Sequence, residues 1–338
     1  MRTFIVGDHL TGTGPANVTK EYIRCFPKGT LYQKRTSKLG RVPELFLNIL
    51  RCDVILFSGY SAQNVLGMKI AKALNKKTAY LVHGAITLEN KINSAENETQ
   101  TRVEEETLNR ADLLLAVSSK FADWLKETYP QYKDKISYVT NGVDFDYLKS
   151  VNAGFDNTSV ERRTDRILSI GGGMPRKMIL NICKAVEIIN KEVDNKLTLT
   201  VIGAEGKDTD AIKAYPFVEY LGLVDAKKKD ELFRSSALFI QNSSFETFGL
   251  AVFESLMSGC SILTSKVAGA LDLLPNAKDE DIVNDYNSET EIADKIKFLL
   301  DNPNHERLKS QINENEATWE SRTKEMLNKL SELVNGKA

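Results

Sequence analysis

The sequence has few of the side chains that bind metal ions or form disulfides. Four cysteines are scattered over 338 residues without a C-x-x-C pair, and there are only three histidines. Scattered cysteines are typical of proteins kept in a reducing compartment, and so small a supply of His and Cys disfavours a zinc site. We therefore expect a reduced, cytoplasmic protein with no bound metal.

Long apolar runs and a secretory signal are also lacking. No stretch approaches the roughly 20 apolar residues that span a bilayer. The opening MRTFIVGDHL has one basic residue and turns polar within the segment, without a cleavage site. We expect a cytoplasmic location, with at most a peripheral contact to the inner face of the cell membrane.

Two common phosphate-binding motifs are absent. The glycine loop at residues 7–17 is not G-x-G-x-x-G, because Pro15 blocks the place of the third glycine, and no G-x-x-x-x-G-K-[ST] occurs. A nucleotide-dependent dehydrogenase would need a better glycine fingerprint, and a P-loop enzyme is excluded.

The net charge is only −1, but basic and acidic side chains are distributed unevenly along the chain. Residues 1–150 carry 21 basic and 16 acidic side chains, whereas the remainder carries 24 and 30, and residues 1–51 alone hold 9 and 3. Nucleic-acid binders usually show a larger net positive charge, so we expect no nucleic-acid partner. An anionic membrane surface fits the basic region better, and a solvated face without a partner is the alternative.

One segment of the basic region has the pattern of an interfacial anchor. Four cations, Lys34, Arg35, Lys38 and Arg41, precede residues 42–50, where Leu45, Phe46, Ile49 and Leu50 stand at helical spacing. Basic residues beside an amphipathic helix predict weak membrane docking. The alternative is that Leu45 and Ile49 pack on a sheet, as in any α/β domain.

Short apolar runs alternate with longer helical patterns along the chain, which predicts two doubly wound parallel sheets. The predicted strands are Thr3–Val6, Thr30–Gln33, Val54–Ser58, Ala79–His83, Leu113–Ser118, Ile136–Thr140, Ile167–Ile170, Leu197–Ile202, Val218–Leu221, Leu238–Gln241, Ser261–Thr264 and Asp281–Val283. Residues 149–164 lack periodicity and predict a linker between a domain at 1–150 and another at 151–315. Ligands bind at the carboxyl ends of such strands, so we expect the site in a cleft between the domains.

The most informative segment is Asn242–Gly259, NSSFETFGLAVFESLMSG. It follows a predicted strand, and its apolar spacing predicts a helix over Thr247–Met257, with Phe248, Gly249 and Leu250 in the first turn. Unpaired amides and the helix dipole at such a start favour a phosphate. The flanking glutamates predict further contacts, with Glu246 holding a hexose and Glu254 holding a ribose. The alternative is an amphipathic helix with an acidic residue near its N-terminus.

A second glycine-rich turn follows the strand at Ile167–Ile170. Gly171-Gly172-Gly173-Met174-Pro175-Arg176-Lys177 ends in two cations that suit a diphosphate. The alternative is a surface loop with ordinary basic residues.

These motifs resemble those of retaining glycosyltransferases of the GT-B fold, specifically glycosyltransferase family 4. S-x-x-E-x-F-G-L-x-x-x-E-x-x-x-x-G is similar to the E-x7-E signature of the family. Supporting segments occur in the expected order: His83-Gly84, Ala111-Asp112 before a strand, N-G-V-D at 141–144, VEYLGLV at 218–224, and Trp319 at the start of the last helix. The family usually has G-R-x-x-x-x-K at the second glycine turn, and here Gly172 occupies the arginine position while Lys177 matches the lysine.

The resemblance implies a GT-B fold with an acceptor-binding domain at 1–150, a donor-binding domain at 151–315, and a helix at 316–338 that returns to the first domain. It implies retaining, metal-independent transfer from a UDP- or GDP-sugar to a glycan or lipid-linked acceptor in cell-surface polysaccharide or glycoconjugate synthesis, with no cofactor. Catalytic roles fall on His83, Lys177 and Glu246. The implied donor-binding residues are Gly12, Gly14, Arg176, Lys177, Gly203, Leu223, Thr247, Phe248, Gly249, Leu250 and Glu254.

Two other classes share parts of this pattern. A sugar-nucleotide epimerase of GT-B shape would bind the same donor and convert it without an acceptor. A non-catalytic two-domain sugar-binding protein has similar architecture, and the periplasmic kind would need an export signal. Incubation with nucleotide sugars, with and without an acceptor, separates these classes.

Overall fold

The computed structural model describes residues 1–35, 37–154 and 161–336. Contacts divide the chain into two compact units. The first unit comprises Met1–Lys91, Ala95–Gly142 and Asn315–Ala338, and the second comprises Ile92–Ser94 and Val143–Glu314. No helix among the described residues is long and apolar enough to cross a membrane.

The first unit is built on a six-stranded, all-parallel sheet in the order β2-β1-β3-β4-β5-β6. Most of its strand side chains are buried, as expected for a sheet covered by helices on both faces. Its strands are β1 (Thr3–Gly7), β2 (Leu31–Tyr32), β3 (Val54–Ser58), β4 (Lys77–Val82), β5 (Leu113–Ala116) and β6 (Ile136–Tyr138).

Side-chain caps fix the beginnings of most helices in the first unit. The oxygens of Thr13, Ser37, Ser61, Asn97 and Ser118 each accept a bond from a backbone amide of the following turn. The capped helices are α1 (Gly14–Cys25), α2 (Lys38–Arg51), α3 (Ala62–Ala73), α5 (Glu98–Arg110) and α6 (Ser119–Thr128), and α4 (Ile86–Ile92) lies between α3 and α5 in the chain.

The second unit repeats the architecture, with the parallel strand order β12-β11-β10-β7-β8-β9. Helices α8 and α12 cover one face with Ile182, Val186, Ile292 and Ile296, all fully buried. The strands are β7 (Arg163–Ile170), β8 (Thr198–Ile202), β9 (Val218–Gly222), β10 (Ser236–Gln241), β11 (Ser261–Ser265) and β12 (Ile282–Val283). The helices are α7 (Phe145–Gly154), α8 (Ile179–Glu192), α9 (Thr209–Lys213), α10 (Ala226–Ser235), α11 (Leu250–Met257), α12 (Glu289–Asp301) and α13 (His305–Lys309). The short helix α14 (Glu314–Ala317) begins at the last residue of this unit, and its other residues belong to the first unit.

The last helix, α15 (Trp319–Val334), belongs to the first unit. Its Trp319 lies edge-on to Tyr22 of α1, with ring centroids 5.3 Å apart. A side chain at Gly142 would come within 2.5 Å of the Trp319 backbone, so glycine is needed for this close approach. Met326 and Leu330 of the same helix are fully buried.

All the predicted strands occur, with shifts of a few residues at their ends. The predicted linker at 149–164 is partly wrong, because α7 extends to Gly154 and β7 begins at Arg163; residues 155–160 lie outside the described residues. The Asn and Ser residues of this segment give no helical pattern, because the buried residues of α7, Phe145 and Leu148, precede it.

Helix α2 divides its apolar residues between the core and the surface. Leu45 and Ile49 are buried in the first unit, as the packing alternative predicts. Phe46 and Leu50 are 46% and 45% exposed, together with Val42 and Leu47. One helix therefore presents apolar side chains both to the core and to solvent.

Candidate active site

The candidate active site of the second unit lies where its strand order reverses. From β7 the chain continues to β8 on one side, whereas from its neighbour β10 it continues to β11 on the other. The loops after β7 and β10 diverge at such a point and leave a crevice at the carboxyl ends of the strands. These loops carry the two sequence motifs described above, the glycine-rich turn at 171–177 after β7 and the segment beginning at Asn242 after β10.

The glycine-rich turn after β7 packs against the turn after β8. The amides of Gly171 and Gly172 both donate to the carbonyl oxygen of Ile202, at 2.9 and 3.0 Å. Gly203 has φ +132°, and a side chain there would lie 2.6 Å from the Gly172 nitrogen. Gly203 is thus needed for the close approach of two backbones, which fixes the position of the turn carrying Arg176 and Lys177.

An ion pair joins the two loops. The Lys177 ammonium lies 2.6 Å from Glu246 Oε2, and the two side chains are only 14% and 12% exposed. Burial favours the neutral acid, but the charges of Lys177 and Arg176 and the bonds from Lys177 and Gln241 outweigh it and lower the pKa of Glu246. At neutral pH the site therefore holds a carboxylate in contact with an ammonium group.

Arg176 is held beside this pair by the loop that carries Glu246. Its guanidinium donates to the Phe245 carbonyl oxygen at 3.3 Å, and its own carbonyl accepts from the Ser244 amide at 2.9 Å. The loop thus places two cations next to one glutamate.

Gln241, at the end of β10, connects Glu246 to the beginning of α11. Its amide nitrogen donates to Glu246 Oε2 at 2.7 Å. Gly249 has φ +98°, and a side chain there would meet Gln241 Oε1 at 2.7 Å. Both the backbone conformation and the space require glycine at this position.

The predicted start of α11 is wrong by three residues. The helix begins at Leu250, so Thr247, Phe248 and Gly249 lie in the loop before it. The left-handed conformation of Gly249 interrupts the helical path, and the buried Phe248 stacks on Phe253 of the helix at 5.9 Å. Leu250 opens the first turn, and the amide of Val252 donates to Gly249.

Glu254 lies one turn into α11 and forms a second ion pair. Its Oε1 is 2.8 Å from the Lys229 ammonium on α10, and both side chains are about 30% exposed (29% for Lys229 and 30% for Glu254). Leu223, in the loop after β9, is 81% exposed. These residues are available to a ligand without rearrangement of the core.

The remaining predicted residues belong to the first unit. His83 follows β4, and its Nε2 lies 2.7 Å from Ser58 Oγ, which in turn lies 2.7 Å from Thr19 Oγ1. Desolvation lowers the pKa of His83 to about 4, so the imidazole is neutral at pH 7. Gly12 lies in the loop after β1, and Gly14 begins α1.

Models of two glycosyltransferase families cover most of the chain. "Glycosyltransferase Family 4" matches residues 6–147, and "Glycosyl transferases group 1" matches residues 155–319. The chain belongs to the GT-B glycosyltransferases of family 4 type. These are transferase enzymes, and the expected family and fold are confirmed.

Individual relatives of this glycosyltransferase are distant. A probable sucrose-phosphate synthase of Thermosipho melanesiensis is 24% identical over 60% of this chain, and the match spans about half (48%) of that protein. A 41.2 kDa protein from the cps region of Klebsiella pneumoniae is 24% identical over 83% of this chain and 80% of its own length. Anabaena HepE in complex with UDP and glucose has the same fold, with a TM-score of 0.67, 14% identity, and coverage of 98% and 99%.

Several contacts of this glycosyltransferase were missed in the sequence. Gln241 is a polar residue at the end of an apolar strand, and that position was a usable signal. Ser58 ends β3 in the same way. Lys229 gave no such signal, because it is one of three consecutive lysines on a charged helix. Among the described residues, no three His, Cys, Asp or Glu side chains gather where they could hold a metal ion.

Proposed function

We propose that this protein transfers a glycosyl group, with retention of configuration, from a nucleotide-diphosphate sugar to a glycan or lipid-linked acceptor. The observation that carries the proposal is the Lys177–Glu246 pair at the carboxyl ends of β7 and β10, beside the beginning of α11. The UDP and glucose named for Anabaena HepE support a UDP-sugar donor, and a GDP-sugar is the other candidate. The cps region named for the Klebsiella relative supports a role in cell-surface polysaccharide synthesis.

In this proposal the second unit stabilises the leaving diphosphate. Negative charge grows there as the bond from the anomeric carbon to the phosphate oxygen breaks. Lys177, Arg176 and the first-turn amides of α11 supply positive charge to it, so neither a metal ion nor a cofactor is required. Glu246 accepts hydrogen bonds from hexose hydroxyls, and Glu254 accepts them from the ribose hydroxyls. Each glutamate then gives up part of its contact with its lysine, Lys177 for Glu246 and Lys229 for Glu254. Gly203, Leu223 and the loop Thr247–Gly249 line the donor.

The first unit serves the acceptor and the reacting sugar. The acceptor oxygen attacks the face from which the diphosphate leaves, and its proton passes to a donor phosphate oxygen. His83, neutral at pH 7, hydrogen-bonds the donor sugar, and Gly12 and Gly14 leave room for the phosphates. Contact of α2 with an anionic membrane would bring a lipid-linked acceptor to the enzyme.

Product analysis tests the proposal. Incubation with UDP- and GDP-sugars should release nucleoside diphosphate only when an acceptor is present, and NMR should show the donor's anomeric configuration in the product. A converted sugar nucleotide formed without acceptor would instead identify an epimerase. Binding of a nucleotide sugar without any turnover across an acceptor panel would identify a binding protein, and an inverted anomer would overturn retention.

A further inference from the structure

A cavity of about 350 Å³ opens in the first unit at the carboxyl ends of β1 and β2. Its walls are the loop after β1, from Gly7 to Thr11, the segment after β2, from Gln33 to Arg35, and Arg41 of α2. This volume is at the lower end of the range for small-molecule sites, so it suits one compact group rather than a polymer.

The cavity is strongly basic. Lys34, Arg35 and Arg41 line it, and none of the three forms an ion pair with a carboxylate in the part of the chain that the structure describes. Asp8 is the acidic residue of the lining. Its oxygens accept bonds from the Thr11 hydroxyl and from the amides of Leu10 and Thr11, so the carboxylate is engaged within its own loop.

Neighbouring residues hold the cations in place. The two carboxylate oxygens of Glu44 accept hydrogen bonds from the backbone amides of Lys34 and Arg35, at 2.8 and 2.9 Å. Arg41 donates to the Arg35 carbonyl at 3.0 Å and to Gln63 Oε1 at 2.6 Å. The segment is therefore organised by hydrogen bonds, and the lining holds three cations against a single carboxylate, that of Asp8.

We infer that this cavity binds a phosphate ester carried by the acceptor. Three cations match a dianionic group better than a single carboxylate, and two of them are guanidinium groups, whose fork fits phosphate oxygens. The inference rests on the proposed function, since it names the chemistry of the acceptor. The phosphate comes from either a soluble sugar phosphate or a lipid phosphate, and the experiment separates these two sources.

Calorimetric binding to the full chain tests the site without turnover. The probes are glucose 6-phosphate against glucose, and a short-chain prenyl phosphate against its alcohol. We expect at least one phosphorylated probe to bind and its unphosphorylated partner not to bind. The phosphorylated probe that binds identifies the source. Failure of both phosphorylated probes, or equal binding of either partner in a pair, would overturn the inference.

A charge-matched pair of variants locates the binding. Lys34→Gln with Arg35→Gln should lower the affinity for the phosphorylated probe about tenfold or more. Lys20→Gln with Arg51→Gln removes two exposed cations elsewhere in the first unit and should change nothing. Arg35→Lys keeps the charge but removes one guanidinium fork, so it should lose less affinity than the double glutamine variant, and its remaining binding shows that the segment still folds. Equal affinity in the two double variants would refute the site.

Two controls separate this inference from the proposed function. Lys177→Ala should leave binding of the phosphorylated probe unchanged, because Lys177 does not line the cavity. Titration with UDP- and GDP-sugars reports on the donor site. If no nucleotide sugar binds, the proposed function fails; if donors bind and turn over but the Lys34 and Arg35 variant keeps its affinity for the phosphorylated probe, only the inference fails.

Discussion

Lys177 and Glu246 are opposite charges held in contact with little exposure to water. A pair so enclosed interacts more strongly than one on the surface, and losing one partner leaves the other charge uncompensated. In the proposed reaction the same ammonium acts on the leaving diphosphate. Its removal should therefore affect the chemical step more than the binding of the donor.

We expect Lys177→Ala to lower turnover on the order of 10²–10³-fold, comparable to the loss of one donor to a developing oxyanion. Steady-state kinetics with a nucleotide sugar measures the change. Lys184→Ala is a suitable control, since that lysine lies on an exposed face of α8, where it pairs with Glu289 of α12. Full turnover in the Lys177 variant would remove this residue from the mechanism.

His83 gives the folded state a pH dependence of its own. Burial lowers its folded pKa to about 4, whereas an unfolded imidazole titrates near pH 6.5. Between these values the unfolded chain binds the extra proton, so the stabilising contribution is present above pH 6.5 and is lost as the pH falls towards 4.

Replacing His83 by Gln should therefore flatten the dependence of unfolding free energy on pH between about 4 and 6.5. Urea unfolding of both proteins at several pH values measures the slope. His9→Gln is the matched control, because His9 is a partly exposed loop residue of the same unit. Parallel curves for the native protein and the His83 variant would show that His83 titrates normally.

At the scale of elements, the junction between the β10 loop and α11 depends on one residue. Gly249 combines a left-handed backbone with a side-chain position already filled by Gln241. Gly222, after β9, has φ +68° but open space around it. The two positions separate the cost of conformation from the cost of crowding.

Gly249→Ala should destabilise the protein by about 3 kcal/mol, and Gly222→Ala by about 1 kcal/mol, because only the first adds a clash to the strained backbone. Chemical denaturation provides both values. The Gly249 variant should also bind nucleoside diphosphate more weakly, since Gln241 must move away from Glu246. Similar losses in the two variants would show that Gln241 yields without cost.

Helix α2 offers four exposed apolar side chains, Val42, Phe46, Leu47 and Leu50. With the neighbouring cations they form the surface for which we propose weak membrane contact; the Lys38 side chain lies outside the described part. Each cation near an anionic surface contributes about 1 kcal/mol.

Phe46→Ser with Leu47→Ser should reduce flotation with phosphatidylglycerol vesicles at low salt, because apolar area is removed while the cations remain. Phe298→Ser, on the exposed side of α12 in the second unit, should float like the native protein. Equal recovery with neutral and anionic vesicles would argue against this surface.

Local apolar patterns allowed the strands to be predicted. Buried parallel strands leave continuous apolar runs, and every strand of both sheets was located in this way. The beginning of α11 was not, because Thr247 and Phe248 fit a helical pattern while the conformation of Gly249 depends on the packing around Gln241. The contact of Lys229 with Glu254 depends on which helices become neighbours, and no local signal encodes that.

For the whole molecule, the two units share a fold while their clusters differ in charge. The second unit has cations already paired with glutamates, whereas in the first unit three cations and one carboxylate line the β1–β2 cavity. The proposed chemistry relies on these side chains and on backbone amides in place of a divalent ion.

Activity should accordingly persist after dialysis against EDTA, with a turnover within about twofold of the untreated enzyme. A coupled assay for released nucleoside diphosphate, free of metal-dependent coupling enzymes, measures it. Activity lost on chelation and restored by magnesium or manganese would show that an ion accompanies the donor.

The placement of α15 has a consequence for how the protein is made. Trp319, Met326 and Leu330 complete the interior of the first unit, yet they are synthesised after all of the second. At the usual 5–20 residues per second, about 10–40 s separate the synthesis of Gly142 from that of Val334, the last residue of α15. Throughout that interval the surface around Tyr22 and Gly142 lacks the α15 side chains that cover it in the folded protein. The first unit is thus synthesised first but completes its folding last, and a nascent-chain chaperone would bind at this uncovered surface.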